Sequence, residues 1–261
     1  MALSVLTFAK WIAEAPDWIL SLPEWMQRFC FQIFQVFIYQ DRWKFFTDGL
    51  MTTFLVTIGS LVIGTVIGMI VAIIRSTHDS ARAKPNFILR IINAVCKVYV
   101  TVIRGTPLMV QLLIMGFVVM VPKGNTETVV CAIITLGINS GAYVAEIARS
   151  GIMSINGGQM EAGRSLGLSY VQTMWKIVLP QAFKNILPAL GNELIALLKE
   201  TSLVTVIALQ DVTKAAQVIV SKTYTAVIPY ISLAVIYLVL VMIITKLLGL
   251  LERRLRESDA R

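Results

Sequence analysis

The chain has 261 residues, of which 57% are hydrophobic and only 15% are charged, and its mean hydropathy is +0.77. Soluble domains carry roughly 25% charged residues, so this composition excludes an ordinary soluble enzyme, a disordered tail and a disulfide-stapled secreted module. The net charge of +8 is typical of the cytoplasmic loops of a membrane protein. An all-α integral membrane protein is therefore predicted.

An N-terminal extension, residues 1–45, precedes the first long apolar run. Charges and prolines interrupt residues 1–25, so this stretch lacks the unbroken apolar core of a signal peptide. Residues 29–39 are apolar but too short to span a bilayer. Polar residues recur nearby at helical spacing, namely Arg28, Gln32, Gln35 and Arg42. These features predict an amphipathic helix in the membrane interface on the outer side, with an additional span as the alternative.

Five segments are apolar enough to span a bilayer, which requires about 20 residues. They cover residues 49–74, 87–121, 128–148, 187–209 and 223–247. The fourth segment is unusual because it contains three charged residues. Asp211 lies just beyond it and is predicted to be a solvated loop residue.

Within the second segment, the sequence Arg104-Gly105-Thr106-Pro107 predicts a break or a kink. Proline has no backbone N–H, and glycine permits close backbone approach. Backbone exposed at such a break is tolerated only beside protein or a water-filled path. Arg104 is therefore either a ligand for a substrate carboxylate or an anchor of the helix. Thr106 and Tyr143 are candidates for the same path.

The charges of the fourth segment are costly near the bilayer centre, at about 2.5–3.5 kcal/mol each. The run from Lys199 to Ser202 is therefore expected to face protein or water. Two interpretations stay open: these side chains hold helices in register, or they line the path of a zwitterionic substrate. The residues concerned are Lys199, Glu200, Thr201 and Ser202. Glu193 is expected to be structural, near Lys184.

Two further patterns predict contacts of the helices. Gly64 and Gly68 form a GxxxG motif, which indicates close helix packing rather than a dimer interface. Glu146 and Arg149 lie three residues apart on one helix and are expected to pair with each other.

Lysine and arginine are distributed unevenly between the connections. Fourteen of the 23 lie in residues 75–97, in residues 149–184 and from residue 246 onwards. Because cytoplasmic loops are enriched in these residues, the three regions are assigned to the cytoplasm. The N-terminus is then outside, and the C-terminal tail, residues 256–261, is cytoplasmic.

The cytoplasmic connection 149–185 contains the most informative stretch, NGGQMEAGRSLGLSYVQTMWKIVLP, residues 156–180. It is predicted to form two short helices. Asn156 caps the first, and Gly167 ends it in a left-handed conformation. Ser169 and Gln172 form a capping box for the second, which Pro180 is expected to close. One apolar face is predicted on this second helix, formed by Val171, Met174, Trp175 and Val178. Such a rigid hairpin suits a groove on a partner protein.

The spacing EAG-xxx-G-x9-I-x-LP in this stretch resembles the EAA loop of the transmembrane subunits of binding-protein-dependent ABC importers. Its residues are Glu161, Ala162, Gly163, Gly167, Leu179 and Pro180. Gly163 stands where the commonest form has alanine. Further motifs, RGTPLMVQL, NSGAYVAEIARSGI, PALGNELIALLKETSLV and LERRL, resemble permeases for polar amino acids. The similarity covers residues 46–255 and leaves only the N-terminal extension outside it.

The resemblance implies a five-span, MetI-like permease core at residues 46–255 in the plasma (inner) membrane of a bacterium. It implies ATP-driven import of a polar amino acid, delivered by an extracytoplasmic amino-acid-binding protein. Two permease subunits, identical or paralogous, would form the path, and a dimer of ATP-binding subunits would dock on the EAA loop.

Catalysis is expected on the partner and not in this chain. The sequence contains no GxxxxGK[ST] phosphate-binding loop, no nucleophile–base pair and no metal-ligand constellation. ATP and Mg²⁺ are therefore expected on the partner ATPase. No catalytic residue, metal, cofactor or nucleic acid is assigned to this chain.

Two other classes of function are compatible with the composition. An ion-coupled secondary amino acid transporter or channel would use the buried carboxylates as ion sites and would transport alone. This function would not explain the helical hairpin predicted for residues 156–180. The inverted repeats that are typical of such transporters are not visible in the sequence. A membrane scaffold or sensor subunit would not explain the charges in the fourth segment.

Overall fold

A computed structural model of the chain describes residues 8–79 and 86–259, with the backbone alone for residues 255–259. These residues form helices and connections, with no strand among them. The helices are α1 (Phe8–Ala13), α2 (Asp17–Leu20), α3 (Glu24–Ile33), α4 (Trp43–Asp79), α5 (Phe87–Gly105), α6 (Leu108–Ile114), α7 (Asn125–Met153), α8 (Gly157–Ser165), α9 (Tyr170–Thr173), α10 (Leu179–Glu200), α11 (Val212–Thr223) and α12 (Val227–Asp259). Predictions for residues 1–7, for Arg82 and Lys84 and for residues 260–261 lie outside the described residues.

Three of the described helices, α4, α7 and α12, are each long and apolar enough to cross a membrane. Two further candidates are bent pairs. Phe87–Gly105 and Leu108–Val119 meet at 104°, and Tyr170–Ile207 meets Val212–Thr223 at 50°. If each bent pair is one span, the described residues supply up to five spans, the number that the apolar runs predict.

Several helix ends differ from the bounds of the predicted spans. Within the segment 187–209, α10 ends at Glu200 and Thr201–Ile207 is a 3₁₀ helix. Within the last predicted span, α12 begins at Val227, because Tyr224 ends α11 in the left-handed conformation, with φ of 56°. Helix α12 continues to Asp259, so the first residues of the predicted tail are helical.

Helix α7 lies at the centre of the bundle, and its most extensive helix contact is with α4. Of its apolar segment 67% is buried, against 11% for α12. Glycines on α4 permit the close approach. A Cβ on Gly64 would lie 2.8 Å from Ser140 Oγ, and one on Gly68 would lie 2.6 Å from Val144 Cβ. The prediction that the GxxxG motif serves close helix packing is thereby confirmed.

The opposite face of α4 carries an apolar stripe at helical spacing that no described part of the chain covers. Each side chain of the stripe is more than half exposed, and its members are Met51, Leu55, Ile58, Val62, Val66 and Ile70. A continuous exposed apolar surface of this kind indicates contact with a partner or a membrane. On a helix long enough to span a bilayer, the stripe indicates lipid contact.

Asp211 is a buried helix cap and not the solvated loop residue predicted from its position. It is 1% exposed, and its carboxylate accepts hydrogen bonds from the N–H groups of Thr213 (3.1 Å) and Lys214 (2.8 Å) at the start of α11. Gly49 on α4 lies against the same turn, since a Cβ there would lie 2.7 Å from the Asp211 carbonyl oxygen. The contact between α4 and α11 therefore buries Asp211.

The described part of the N-terminal extension folds back onto the bundle. Gln40 and Asp41 have φ of 55° and 54° and form a kink before α4. The buried guanidinium of Arg42 donates a hydrogen bond of 2.8 Å to the carbonyl of Gln35. Val36, in a π-helical turn at Phe34–Ile38, is buried in a cluster that includes residues of α4 and α11. The extension is thus fixed to the same region as α11.

The polar face predicted for the extension is not continuous. Gln35 and Arg42 are each 5% exposed, because they form the turn that joins the extension to the bundle. The exposed side chains of α3 include an apolar row at positions i, i+4 and i+8, formed by Trp25, Phe29 and Ile33. These three side chains form an apolar stripe on α3, and no described residue covers it.

Candidate functional site

Local hydrogen bonds build the helical hairpin, residues 156–180, as the sequence predicts. The side chain of Asn156 accepts the N–H of Gly158 at 2.8 Å and caps α8. Gly167 follows α8 with φ of 82°. Ser169 Oγ accepts the N–H of Gln172 (3.2 Å), and the Gln172 side chain accepts the N–H of Ser169 (2.8 Å). The predicted caps and the predicted capping box are confirmed.

Gly163 is the point at which the two arms of the hairpin meet. A Cβ added there would lie 2.5 Å from Thr173 Cγ2 and 2.9 Å from Ile177 Cδ1. The Thr173 hydroxyl donates to the carbonyl of Ser169 at 2.9 Å, which fixes the side chain in this position. The close contact gives a structural reason for glycine where the commonest EAA form has alanine.

The second arm does not end at Pro180, contrary to the prediction. Helix α9 continues through a π-helical turn, Met174–Val178, directly into α10, where Pro180 occupies the first turn. In the π turn, the N–H of Leu179 bonds to the carbonyl of Met174, five residues earlier. This wider turn accommodates a residue that has no N–H, so the hairpin and α10 form one continuous helical path.

The predicted apolar face of the second arm divides into two stripes. Met174 and Val178 are buried in a cluster with α4, α7 and α10. Val171 and Trp175 are 62% and 64% exposed, so the prediction of one shared face is wrong. Leu166, at the end of α8, is also exposed. The inner stripe fixes the hairpin to the bundle, and the outer residues are available to a partner.

The residues of the EAA spacing include both buried and exposed side chains of the hairpin. Glu161 and Ala162 are exposed on α8, while Gly163 is buried between the arms. Leu179 packs against the buried cluster, and Pro180 is exposed. Part of the motif therefore shapes the hairpin, and part lies on its surface.

The break in the second span is completed by a side chain that the sequence did not single out. The carbonyl of Ile103 would normally bond to the N–H of residue 107, which is proline. Gln111 Nε2 supplies that hydrogen bond instead, at 2.8 Å, and also contacts Thr106 Oγ1 at 2.8 Å. Asn139 on α7 donates to Gln111 Oε1 at 2.9 Å. The sharp bend is therefore held to the middle of α7.

Arg104 and Tyr143 are brought together beside this break. The guanidinium carbon of Arg104 lies 5.1 Å from the centre of the Tyr143 ring, a distance at which a cation is attracted by an aromatic face. Tyr143 lies one helical turn after Asn139 on α7. Arg104 is exposed at the end of α5, so its guanidinium is accessible to a further ligand.

A half-buried carboxylate contacts the neighbouring turn of α7. Ser140 Oγ donates a hydrogen bond of 2.7 Å to Glu193 on α10, so Glu193 bridges two helices. Glu200 is half-buried and lies seven residues after Glu193, which places both carboxylates on one face of α10. We call these side chains the polar cluster: Arg104, Gln111, Asn139, Ser140, Tyr143, Glu193 and Glu200.

The other residues predicted for a substrate path lie in different surroundings. The Thr106 hydroxyl donates to the carbonyl of Val102 at 2.9 Å, within the break itself. Lys199 is exposed, Ser202 is half-buried and Thr201 is buried. Thr201 donates its hydroxyl hydrogen to the carbonyl of Leu198 at 2.7 Å, which stabilises the end of α10.

Sequence patterns do not identify three members of the polar cluster, Gln111, Asn139 and Ser140. They are uncharged, so the energetic cost of burying a charge in the membrane does not identify them as candidates for the path. The one sequence feature that could have predicted Gln111 is Pro107. Proline has no N–H, so the Ile103 carbonyl needs another hydrogen-bond donor nearby. Asn139 and Ser140 became informative only once α7 was known to face both α6 and α10.

Comparison with known proteins gives consistent matches. Residues 64–257 match the family model described as "Binding-protein-dependent transport system inner membrane component". The arginine transport system permease protein ArtQ of Bacillus subtilis (strain 168) is 40% identical over 205 residues, 78% of this chain and 91% of that protein. The glutamine transport system permease protein GlnP of Escherichia coli (strain K12) is 35% identical over 211 residues, 80% and 92% of the two chains.

Solved structures share the fold. A chain of an amino acid ABC transporter crystallised with histidines is 42% identical, with a TM-score of 0.70, over 81% of this chain and 94% of the other. An inward-facing structure of the MetNI methionine ABC transporter has a TM-score of 0.67 at 20% identity, covering 80% and 95% of the two chains. The second match supports the fold alone.

Proposed function

The chain belongs to the family of binding-protein-dependent transport system inner membrane components, and on that premise we propose that it forms the membrane path of an ATP-driven importer of polar amino acids. The matched residues, 64–257, include both the hairpin and the polar cluster. The similar proteins are named as permease proteins of transport systems, which supports a role in transport for this chain. The observation that carries the proposal is the presence of both sites within this matched region.

The polar cluster suits the groups that all amino acids share. Arg104 offers a planar, doubly donating group to an α-carboxylate, and Glu193 and Glu200 offer oxygens to an α-ammonium. Arginine, glutamine and histidine, which appear in the names of the similar proteins, have these groups in common and differ in the side chain. We therefore assign the cluster to the shared groups and side-chain selection mainly to the extracytoplasmic binding protein.

The proposed substrate path combines residues that the sequence predicts with those of the polar cluster. It retains Arg104, Thr106, Tyr143, Lys199, Glu200, Thr201 and Ser202. Gln111, Asn139 and Ser140 are added as the groups that hold the break and α7 together. The hydrogen bond from Ser140 to Glu193 supports this arrangement, because it orients one of the two carboxylates.

We assign docking of the ATPase subunits to the outer surface of the hairpin. Leu166, Val171 and Trp175 are exposed apolar side chains of this surface, and Glu161 is exposed on the same hairpin. Apolar and aromatic groups of this kind commonly form the centre of a protein interface. The inner stripe, Met174 and Val178, would transmit displacement of the hairpin to α7 and α10. ATP and Mg²⁺ would be bound and used on the partner subunits.

The proposed assembly contains two permease subunits, two ATP-binding subunits and one extracytoplasmic binding protein. The permeases would be two copies of this chain or this chain with a paralogue. The family is located in the inner membrane, and the proposed orientation puts the N-terminus outside and the C-terminus in the cytoplasm. Fourteen of the 23 lysines and arginines lie on the side assigned to the cytoplasm.

Reconstitution in liposomes tests the function. The chain would be combined with the ATPase encoded beside it, with and without the neighbouring binding protein, and ATP hydrolysis and amino acid uptake would be measured. We expect stimulation and uptake only when all three components are present with a polar amino acid. Transport by the chain alone along an ion gradient, unaffected by the ATPase, would contradict the proposal.

The N-terminal extension is proposed to lie in the outer membrane–water interface. The apolar stripe of α3 consists of Trp25, Phe29 and Ile33, and tryptophan is enriched at this depth of a bilayer. The ion pair between Arg28 and Glu24 lies on the neighbouring side of the helix at 2.7 Å and is exposed. Side chains of both kinds are expected of an interfacial helix.

Labelling of single cysteines tests this placement. In a Cys30→Ser background, Trp25→Cys carrying an environment-sensitive fluorophore is expected to be quenched by lipids with a shallow spin label. Glu24→Cys, the matched control on the polar side, should be quenched less. Both should react with a membrane-impermeant maleimide added outside intact spheroplasts. Equal quenching at the two positions, or labelling only after lysis, would contradict the placement.

A further inference from the structure

An ion-pair network connects α4 and α7 at the end of the bundle nearest the hairpin. Arg75 on α4 forms a hydrogen-bonded ion pair with Glu146 on α7. The second oxygen of Glu146 accepts a hydrogen bond from Arg149 at 3.3 Å. Arg149 in turn lies 3.7 Å from the carboxylate of Asp79 on α4. The sequence predicts the pair within α7, which is confirmed, but not the connection to α4.

The network is shielded from solvent at its centre. The side chains of Arg75 and Glu146 are 13% and 25% exposed. Shielding strengthens the attraction between the charges, and it also makes an unpaired charge costly. The pair is therefore strongly selective for one relative position of the two helices.

Two clusters of buried apolar side chains lie beside the network. One contains Val71, Cys96 and Ala145. The other contains Ala72 and Ala148 together with Met174 and Val178 of the hairpin. Contacts between apolar side chains are not directional. The ion pairs supply the direction that these contacts lack.

We propose that Arg75 and Glu146 are positioning residues that hold α4 and α7 in register beside the hairpin. Met174 and Val178 of the hairpin pack against Ala72 of α4 and Ala148 of α7 in one cluster, and the ion pair connects these two helices to each other. Displacement of the hairpin would then move α4 and α7 as one unit. The inference rests on the proposed function, because the displacement is produced by the ATPase.

Charge exchange between the two positions tests the inference. Arg75→Gln, Glu146→Gln and the exchanged double variant Arg75→Glu/Glu146→Arg would be reconstituted with the ATPase and the binding protein. The measured quantity is amino acid taken up per ATP hydrolysed. We expect each single variant to lower this ratio by about 5- to 150-fold, the range of typical coupling between sites, while ATP hydrolysis continues. The exchanged variant should recover most of the ratio.

Two controls separate this inference from others. Arg90→Gln removes an exposed charge from α5 and should leave the ratio unchanged. Glu146→Asp preserves the charge, and it keeps the test informative if the glutamine variants do not assemble. A ratio equal to that of the native chain in the single variants, or no recovery on exchange, would overturn the inference. Absence of three-component uptake in the native chain would instead overturn the proposed function.

Discussion

Replacement of Gly163 by valine is expected to lower coupled transport by about 5- to 150-fold while leaving the chain inserted in the membrane. A Cβ at this position would lie 2.5 Å from Thr173 Cγ2, and valine adds two further carbons in the same space. The arms of the hairpin must then separate. Overpacking of this kind costs about 1–3 kcal/mol, which shifts an equilibrium between two arrangements by about 5- to 150-fold. Uptake and stimulated ATP hydrolysis should both fall by about this factor.

The control for this prediction lies on the same helix. Gly157 is exposed in the first turn of α8, and a Cβ there would meet nothing within 4 Å. Gly157→Val should therefore retain uptake. If hydrolysis remains fully stimulated in Gly163→Val, close contact of the arms is not required for docking.

A compensating pair makes the test sharper. Gly163→Ala, which restores the residue of the commonest EAA form, should give a smaller loss than valine. The double variant Gly163→Ala/Thr173→Ala removes the methyl and the hydroxyl that the new Cβ would meet, and it should recover uptake. Recovery would show that space between the arms, and not the identity of residue 163, determines coupling. A double variant as impaired as Gly163→Ala alone would contradict this explanation.

Replacement of Arg104 by alanine is expected to weaken binding of the amino acid within the membrane by roughly ten- to a hundredfold. A hydrogen bond to a charged group contributes about 1.5–3 kcal/mol, and each 1.4 kcal/mol corresponds to about a tenfold change in affinity. The measurement should be radiolabelled amino acid binding to the permease–ATPase complex without the binding protein. The binding protein would otherwise dominate the apparent affinity.

Three variants identify the interaction that is lost. Arg104→Lys keeps the charge without the bidentate geometry and should give an intermediate affinity. Tyr143→Phe keeps the ring face that lies 5.1 Å from the guanidinium and should bind like the native chain. Arg90→Ala, at the other end of α5, should also bind normally. Native affinity in Arg104→Ala would show that Arg104 anchors the helix, which is the other interpretation of this residue.

Several features of this protein follow from the sequence by itself, because they depend on local chemistry. A bilayer requires about 20 apolar residues per span, and the five apolar runs therefore predicted the spans. Proline lacks an N–H wherever it stands, so the break at Thr106–Pro107 was predictable. The Ser169–Gln172 capping box was also predictable, since its partners lie three residues apart. So was the left-handed conformation of residue 167, since it depends on that residue being glycine.

Other features depend on which helices become neighbours. Ser140 and Glu193 lie 53 residues apart, and Arg75 and Glu146 lie 71 apart. No local pattern connects them, because buried polar groups take partners from any helix that packing brings near. The position of Asp211 in the sequence predicts a solvated loop residue, but in the folded chain α4 packs against it. The continuous helix through Pro180 and the division of Val171 and Trp175 from Met174 and Val178 were likewise decided by tertiary contacts, since the bundle can bury only one side of the hairpin.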